Sequence, residues 1–127
     1  MYKRVKKRFD ISVTESNTVH SKTFELDKNI TAIHGILFTS DRDDLLYYRG
    51  TNKVEINRQE IFPEGYETKL LMSGLNVSPN DRFYQLPALA PGNGKLKVDY
   101  KDNNEERLGF SAYRVTVYLD CEINEPA

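Results

Sequence analysis

The chain has 127 residues, with 18 Lys and Arg against 19 Asp and Glu, a formal charge of −1. That length predicts a single domain able to bury roughly two thirds of its unfolded-chain surface. No run approaches the ~18 apolar residues of a membrane span, and the 8 Tyr and 6 Phe are too many for a solvated coil. One cysteine excludes an internal disulfide.

The near-neutral balance conceals a polarity. Lys3, Arg4, Lys6, Lys7 and Arg8 place five of the 18 cations in the first eight positions, which hold no acid. After Arg114 there is no Lys or Arg, while Asp120, Glu122 and Glu125 follow. A basic head and an acidic tail can attract each other or a neighbouring copy. The head runs straight into Phe9-Asp10-Ile11-Ser12-Val13, without the apolar stretch or small-residue cleavage site of a signal peptide. The chain is therefore expected to stay where it is made, or to leave by cell lysis. Asn29-Ile30-Thr31 and Asn76-Val77-Ser78 match the glycosylation acceptor pattern, but such short matches arise often by chance.

The dominant period along the chain is two. Phe9, Ile11 and Val13 alternate with polar neighbours, the mark of a half-buried strand. The same register would turn Lys7 inward, so the strand is expected to start near Arg8, with residues 1–7 as a basic arm or an edge extension. Phe24 and Leu26 mark a short second strand. Ile30 to Thr39 is apolar on both faces, with Ile30, Ala32, Ile36 and Phe38 on one and Ile33 and Leu37 on the other, which predicts a central, doubly covered strand. Ser40 to Asp44 reads as a turn. Leu45 to Arg49 reads as a short strand, with Asp41 to Tyr47 the best candidate for a turn or two of helix, alongside Pro87 to Leu89. Val54 and Ile56 make another strand, and Tyr66 to Met72 a further one. Ser78-Pro79-Asn80-Asp81 is a turn signal. Phe83 to Leu86 reads as a brief strand and Pro87 to Gly94 as loop. Leu96, Val98 and Tyr100 alternate, and Asp102 to Glu106 turns the chain. In the last strand Tyr113, Val115, Val117, Leu119, Cys121 and Ile123 share one face.

Short strands with turns every 8 to 12 residues predict an all-β fold, an antiparallel β-sandwich of about eight strands and jelly-roll-like. The two long loops, Arg58 to Gly65 and Leu86 to Gly94, fit connections that cross between sheets. They are also the expected contact surfaces. The domain assignment is thus an arm over 1–7 and one sandwich over 8–127.

No motif fixes a reaction. His34, between Ile33 and Gly35, reads as a histidine beside the core, since no second ligand lies at metal spacing. An enzyme would need it in a pocket within reach of a carboxylate. His20 reads as solvated. Asp41, Asp43 and Asp44 fail the calcium-loop pattern, because Leu45 stands at the third ligand position. Cys121 falls in the apolar row and reads as inert. Pro91 to Lys95 lacks the Gly and Ser or Thr of a phosphate loop, with Leu89 and Leu96 in their places. No cofactor or metal is therefore expected. The cations Lys3, Arg4, Lys6, Lys7 and Arg8 are the charge-based interaction candidates, with an acidic protein surface or nucleic acid as partner. Tyr47, Tyr48, Tyr66, Tyr84 and Tyr118 could build a sugar platform or a protein interface.

Gly50 to Asn57, Glu60 to Tyr66 and Gly94 to Asp102 carry a polar strand, an Ile-Phe-Pro-x-Gly corner and a Lys-Val-x-Tyr strand. Over residues 50 to 102 the chain resembles small structural proteins of bacteriophage virions. The resemblance implies a jelly-roll or related sandwich in a vertex, minor capsid, decoration or connector protein. It also implies a location in the virion, with copies of itself and other virion proteins as partners, and carries over no functional residue. The alternative is a carbohydrate- or ligand-binding β-sandwich module.

Overall fold

The computed structural model describes residues 2–73, 82–92, 94–103 and 109–124. Eight strands form two antiparallel four-stranded sheets. In chain order they are β1 (Tyr2–Val13), β2 (Val19–Glu25), β3 (Ile30–Ser40), β4 (Gly50–Ile56), β5 (Gln59–Glu67), β6 (Tyr84–Leu89), β7 (Lys95–Asp102) and β8 (Tyr113–Asn124). One sheet has the order β1-β8-β3-β6 and the other β2-β7-β4-β5. The all-β sandwich expected from the period-two pattern is therefore present. Among the described strands, β4 and β5 are consecutive neighbours in one sheet, and every other consecutive pair lies in different sheets. The β4–β5 connection is a tight turn: Asn57 and Arg58 have φ of 56° and 60°, the left-handed pair that a two-residue hairpin requires.

The inward rows are those that the alternation predicts. Leu96, Val98 and Tyr100 of β7 are fully buried, as are Val115, Val117, Leu119 and Cys121 of β8. Ile11 and Val13 of β1 and Val54 and Ile56 of β4 belong to the same core cluster. Each sheet thus contributes one apolar face to a shared interior.

Several segments differ from the sequence expectation. The strand does not start near Arg8: of the two readings of residues 1–7, the edge extension holds for Tyr2 to Lys7, which are the first half of β1, in unbroken register with β8 from Tyr2 opposite Asn124 to Val13 opposite Tyr113. Backbone pairing with an apolar-rowed partner outweighs the break in alternation at Lys7, whose ammonium reaches Asp27 instead of the core. Leu45 to Arg49 is not a strand. It belongs to helix α1 (Asp43–Arg49), with Asp43 and Asp44 in the first turn and Arg49 in the last, the charge order that a helix dipole favours. This matches the helical alternative at Asp41 to Tyr47. The loop expected over Arg58 to Gly65 is mostly β5, and the strand expected over Tyr66 to Met72 becomes the end of β5 and a 3₁₀ turn, Thr68–Leu71. Strand β6 extends through Pro87, tolerated because β6 is an edge.

In β3, register shifts between Ile30 and Ala32 and between Ile33 and Gly35 rephase the side chains. Ile33 joins Ile30, Ile36 and Phe38 in the core cluster. The strand is flanked by β8 and β6 as expected of a central strand. The turn expected at Ser78 to Asp81, and residues 104–106 of the turn after Asp102, lie outside the described residues.

A polar network closes one end of the sandwich. Asp102, fully buried, accepts from Arg49 Nε at 2.8 Å and Nη2 at 2.6 Å. Its other oxygen accepts from the Tyr113 hydroxyl, which lies 2.8 Å from the Tyr100 hydroxyl. Arg49 Nη2 also donates to Ser16 Oγ at 2.6 Å. Gly50 follows because a Cβ there would meet the Tyr100 hydroxyl at 2.5 Å and the Leu46 carbonyl at 2.7 Å. Removing one partner of a buried pair strands the other charge. Arg49→Ala should therefore cost about 3–5 kcal/mol. Lys7→Ala, which removes a surface pair with the largely exposed Asp27, should cost about 1 kcal/mol or less. Urea denaturation of the two variants checks the ranking.

Candidate interaction surface

The five candidate cations line β1 at the edge of its sheet. Pleating sends Arg4, Lys6 and Arg8 to the outer face. There Arg4 Nη1 and Lys6 Nζ lie 2.9 Å and 3.0 Å from the two oxygens of Asp120 on β8. Lys6 also sits over the Phe83 ring, 5.3 Å from its centroid. Lys7, on the other face, pairs with Asp27 at 2.6 Å. Arg8 Nε donates to Asp10 Oδ1 at 3.1 Å. Lys3 is exposed, opposite Ile123 in the register. The cations are thus mounted on a strand, not on an arm free to reach a distant partner, and Arg4, Lys6, Lys7 and Arg8 hold carboxylates of this chain. Head and tail meet directly, since Asp120 belongs to the acidic C-terminal stretch. Arg4, Lys6 and Arg8 nevertheless keep 41–51% of their side-chain surface exposed, so the edge presents positive charge outward.

Asp10 is the hub of the outer face. Thr116 Oγ1 donates to its Oδ1 at 2.8 Å, and Arg8 shares the same oxygen. The hydrogen bond from Thr116, followed by Arg8 and Arg114, holds the Asp10 carboxyl below its ordinary value, and Asp10 in turn raises Arg8. A depressed carboxylate stabilises the folded state above its unfolded value of about 4 and loses that contribution as pH falls through the lower folded value. The stability deficit of Asp10→Asn should accordingly be full at neutral pH and shrink below about pH 4. Denaturation midpoints of both proteins across pH 2–7 test it.

The five tyrosines do not form one platform. Tyr47 and Tyr48 stand edge-to-face on α1, centroids 4.9 Å apart, with Lys69 Nζ 5.6 Å from the Tyr47 centroid. They line a cleft of about 340 Å³ with Thr51, Glu67 and Lys69. Tyr66 and Tyr84 flank Phe62, at 4.7 Å and 5.4 Å, and close the side where the β5 and β6 edges meet. Burial first, and Tyr84 second, push the Tyr66 phenol up. Tyr118 lies half-buried on the outer face opposite Arg8.

His34 Nε2 lies 3.4 Å from Glu122 Oε1 on β8, without hydrogen-bond geometry. A carboxylate is within reach, and the ring is about one-fifth exposed. His20, expected to be solvated, is instead half-buried at the start of β2: its Nδ1 donates to the Thr18 carbonyl and its Nε2 accepts from the Thr14 amide. Asp41 accepts from the Arg114 amide at 2.8 Å, and Asp44 pairs with Arg42 at 2.9 Å. Among the described residues no His, Cys, Asp and Glu side chains group to hold a metal ion, and no helix is long and apolar enough to cross a membrane. The Gly94 amide donates to the Pro91 carbonyl at 2.9 Å, a turn that feeds β7. Burial raises the Cys121 thiol to about 11, so about one thiol in a thousand is ionised at pH 8. A disulfide reagent at pH 8 should leave Cys121 unmodified in the folded protein and react with one thiol per chain in urea.

The Arg49, Asp102, Tyr100 and Tyr113 network is absent from the sequence reading. A signal was present: Asp102 continues the inward parity of Leu96, Val98 and Tyr100 and so falls on the core face. No protein-family model, curated protein or solved structure matches the chain.

Proposed function

We propose that the chain is a non-enzymatic structural component of a phage virion, a rigid β-sandwich block that assembles through contacts between subunits. The observation that carries this reading is the strand order. Strands pair as β1·β8, β2·β7, β3·β6 and β4·β5, a nested double ribbon that turns back on itself at the β4–β5 hairpin. We read that order as a jelly roll, an architecture used by viral capsid proteins and lectins. The virion-like stretches fall on β4, β5 and β7. The basic β1 edge supplies a charged contact, with copies of the chain and other virion proteins as partners, after synthesis in the host cytoplasm.

The Tyr47 and Tyr48 cleft favours a second reading, a saccharide-binding module, because paired exposed aromatics beside Glu67 and Lys69 offer stacking and hydrogen bonds to one ring. Sedimentation velocity over a wide concentration range, with glycan titrations alongside, separates the two. The structural reading expects self-association that grows with concentration. A strict monomer that binds glycan would overturn it in favour of the module.

A further inference from the structure

We propose that the basic β1 edge of one subunit docks against the β5–β6 side of the next, giving a head-to-tail contact between copies of this chain. The proposal rests on the assembly reading above and specifies its interface.

Three features point to it. First, the edges are segregated by charge. Strands β1 and β2 are sheet edges that touch on one side of the sandwich, and β6 and β5 are edges that meet on the other. Strand β1 carries Lys3, Arg4, Lys6, Lys7 and Arg8 against the single Asp10, while β5 carries Glu60, Glu64 and Glu67 with no cation, and β6 is uncharged. A two-fold contact through either side would set like charges together, which is destabilising across paired strands. Joining unlike sides removes the repulsion, and that is a heterologous contact, which closes into a ring or grows into a filament.

Second, the strand directions allow it. In a four-stranded antiparallel sheet the two edge strands run in opposite senses, so β1 is antiparallel to β6 and β2 to β5. A neighbour in the same orientation therefore brings β1 up antiparallel to β6, with Glu60 of β5 in the groove beside it, and β2, which carries Lys22 and Glu25, to β5, without reversing the subunit. Pro63 in β5 and Pro87 in β6 each remove an amide, so side chains carry much of the contact.

Third, the shapes correspond. A groove of about 310 Å³ runs between β5 and β6, with Ile61, Leu86 and Leu89 in its lining and Glu60 and Tyr84 beside them. On β1, Tyr2 is 66% exposed and adjoins Lys3 and Arg4. An aromatic ring flanked by cations fits an apolar groove with a carboxylate, Glu60, in its lining.

The test uses two double variants of the full chain. Tyr2→Ser with Lys3→Glu blocks the strand side and leaves the groove. Glu60→Lys with Gln85→Lys, both in the groove lining, blocks the groove side and leaves the strand. By sedimentation velocity at low salt each variant alone should be monomeric, and an equimolar mixture should form dimers and nothing larger. Variants that associate as the wild type does, single variants that still dimerise, or a mixture that stays monomeric would overturn the contact while leaving assembly by another surface standing. A wild type that is monomeric throughout would overturn both. Independently of any variant, wild-type association should fall severalfold between 0.05 and 0.5 M salt, because charge pairs at an exposed interface are screened. Association that salt leaves unchanged or strengthens would also overturn it.

Discussion

The ion pair between Arg49 and Asp102 is the constraint on which one end of the molecule depends. It joins the last turn of α1 to the end of β7, and through Tyr113 and Ser16 it also holds the start of β8 and the β1–β2 turn. Asp102 is fully buried and Arg49 only 2% exposed. Such a pair gains little over an apolar replacement, because both ions lose their hydration, but breaking it is expensive. Its use here is geometric. Asn103 adds to the same junction, its amide and side chain both donating to the Arg49 carbonyl. Burial drives the Tyr100 and Tyr113 phenols up, so they remain neutral donors at any physiological pH. The tight approach at Gly50 exists because the Tyr100 ring must reach this network.

What could be read from the sequence was what depends on alternation. Strands β7 and β8 have clean two-residue periods and lie where the pattern puts them. The pattern fails where one residue breaks the rhythm for a reason outside its own strand. Lys7 breaks the β1 alternation, yet the strand continues because β8 offers an uninterrupted partner and Asp27 accepts the ammonium. The bulge before Gly35 rotates Ile33 inward, and single-residue insertions of this kind leave no mark on composition. Prolines misled in the other direction, since Pro63 and Pro87 suggest loops but sit in edge strands, where a missing amide costs no ladder bond. The charge cluster was legible as composition and illegible as geometry. Nothing in a run of cations says that Asp120 and Asp27 will stand beside them.

The charge pattern of the whole chain acquires a spatial meaning in the fold. The jump from a basic start to an acidic end is resolved within the molecule, because β1 lies against β8. A further imbalance persists between the two sides of the sandwich, with β1 basic and β5 acidic. Internal pairing and external display coexist because Asp120 neutralises from beneath the sheet surface while the guanidinium and ammonium groups above it stay in water.

The pairing of β1 with β8 also imposes an order of events during synthesis. Tyr2 lies opposite Asn124, so the first strand of the sandwich to leave the ribosome waits for the last strand of the same sandwich. At about 5–20 residues per second, translation of the intervening hundred or so residues takes roughly 5–20 s. Throughout that interval β1 has no strand to pair with, and Ile11 and Val13 have no core to enter. Its cations keep this apolar segment hydrated and repel the same segment on neighbouring nascent chains. The residues that decorate an edge in the finished sandwich thereby act as solubility guards for a strand that is made first and docked last.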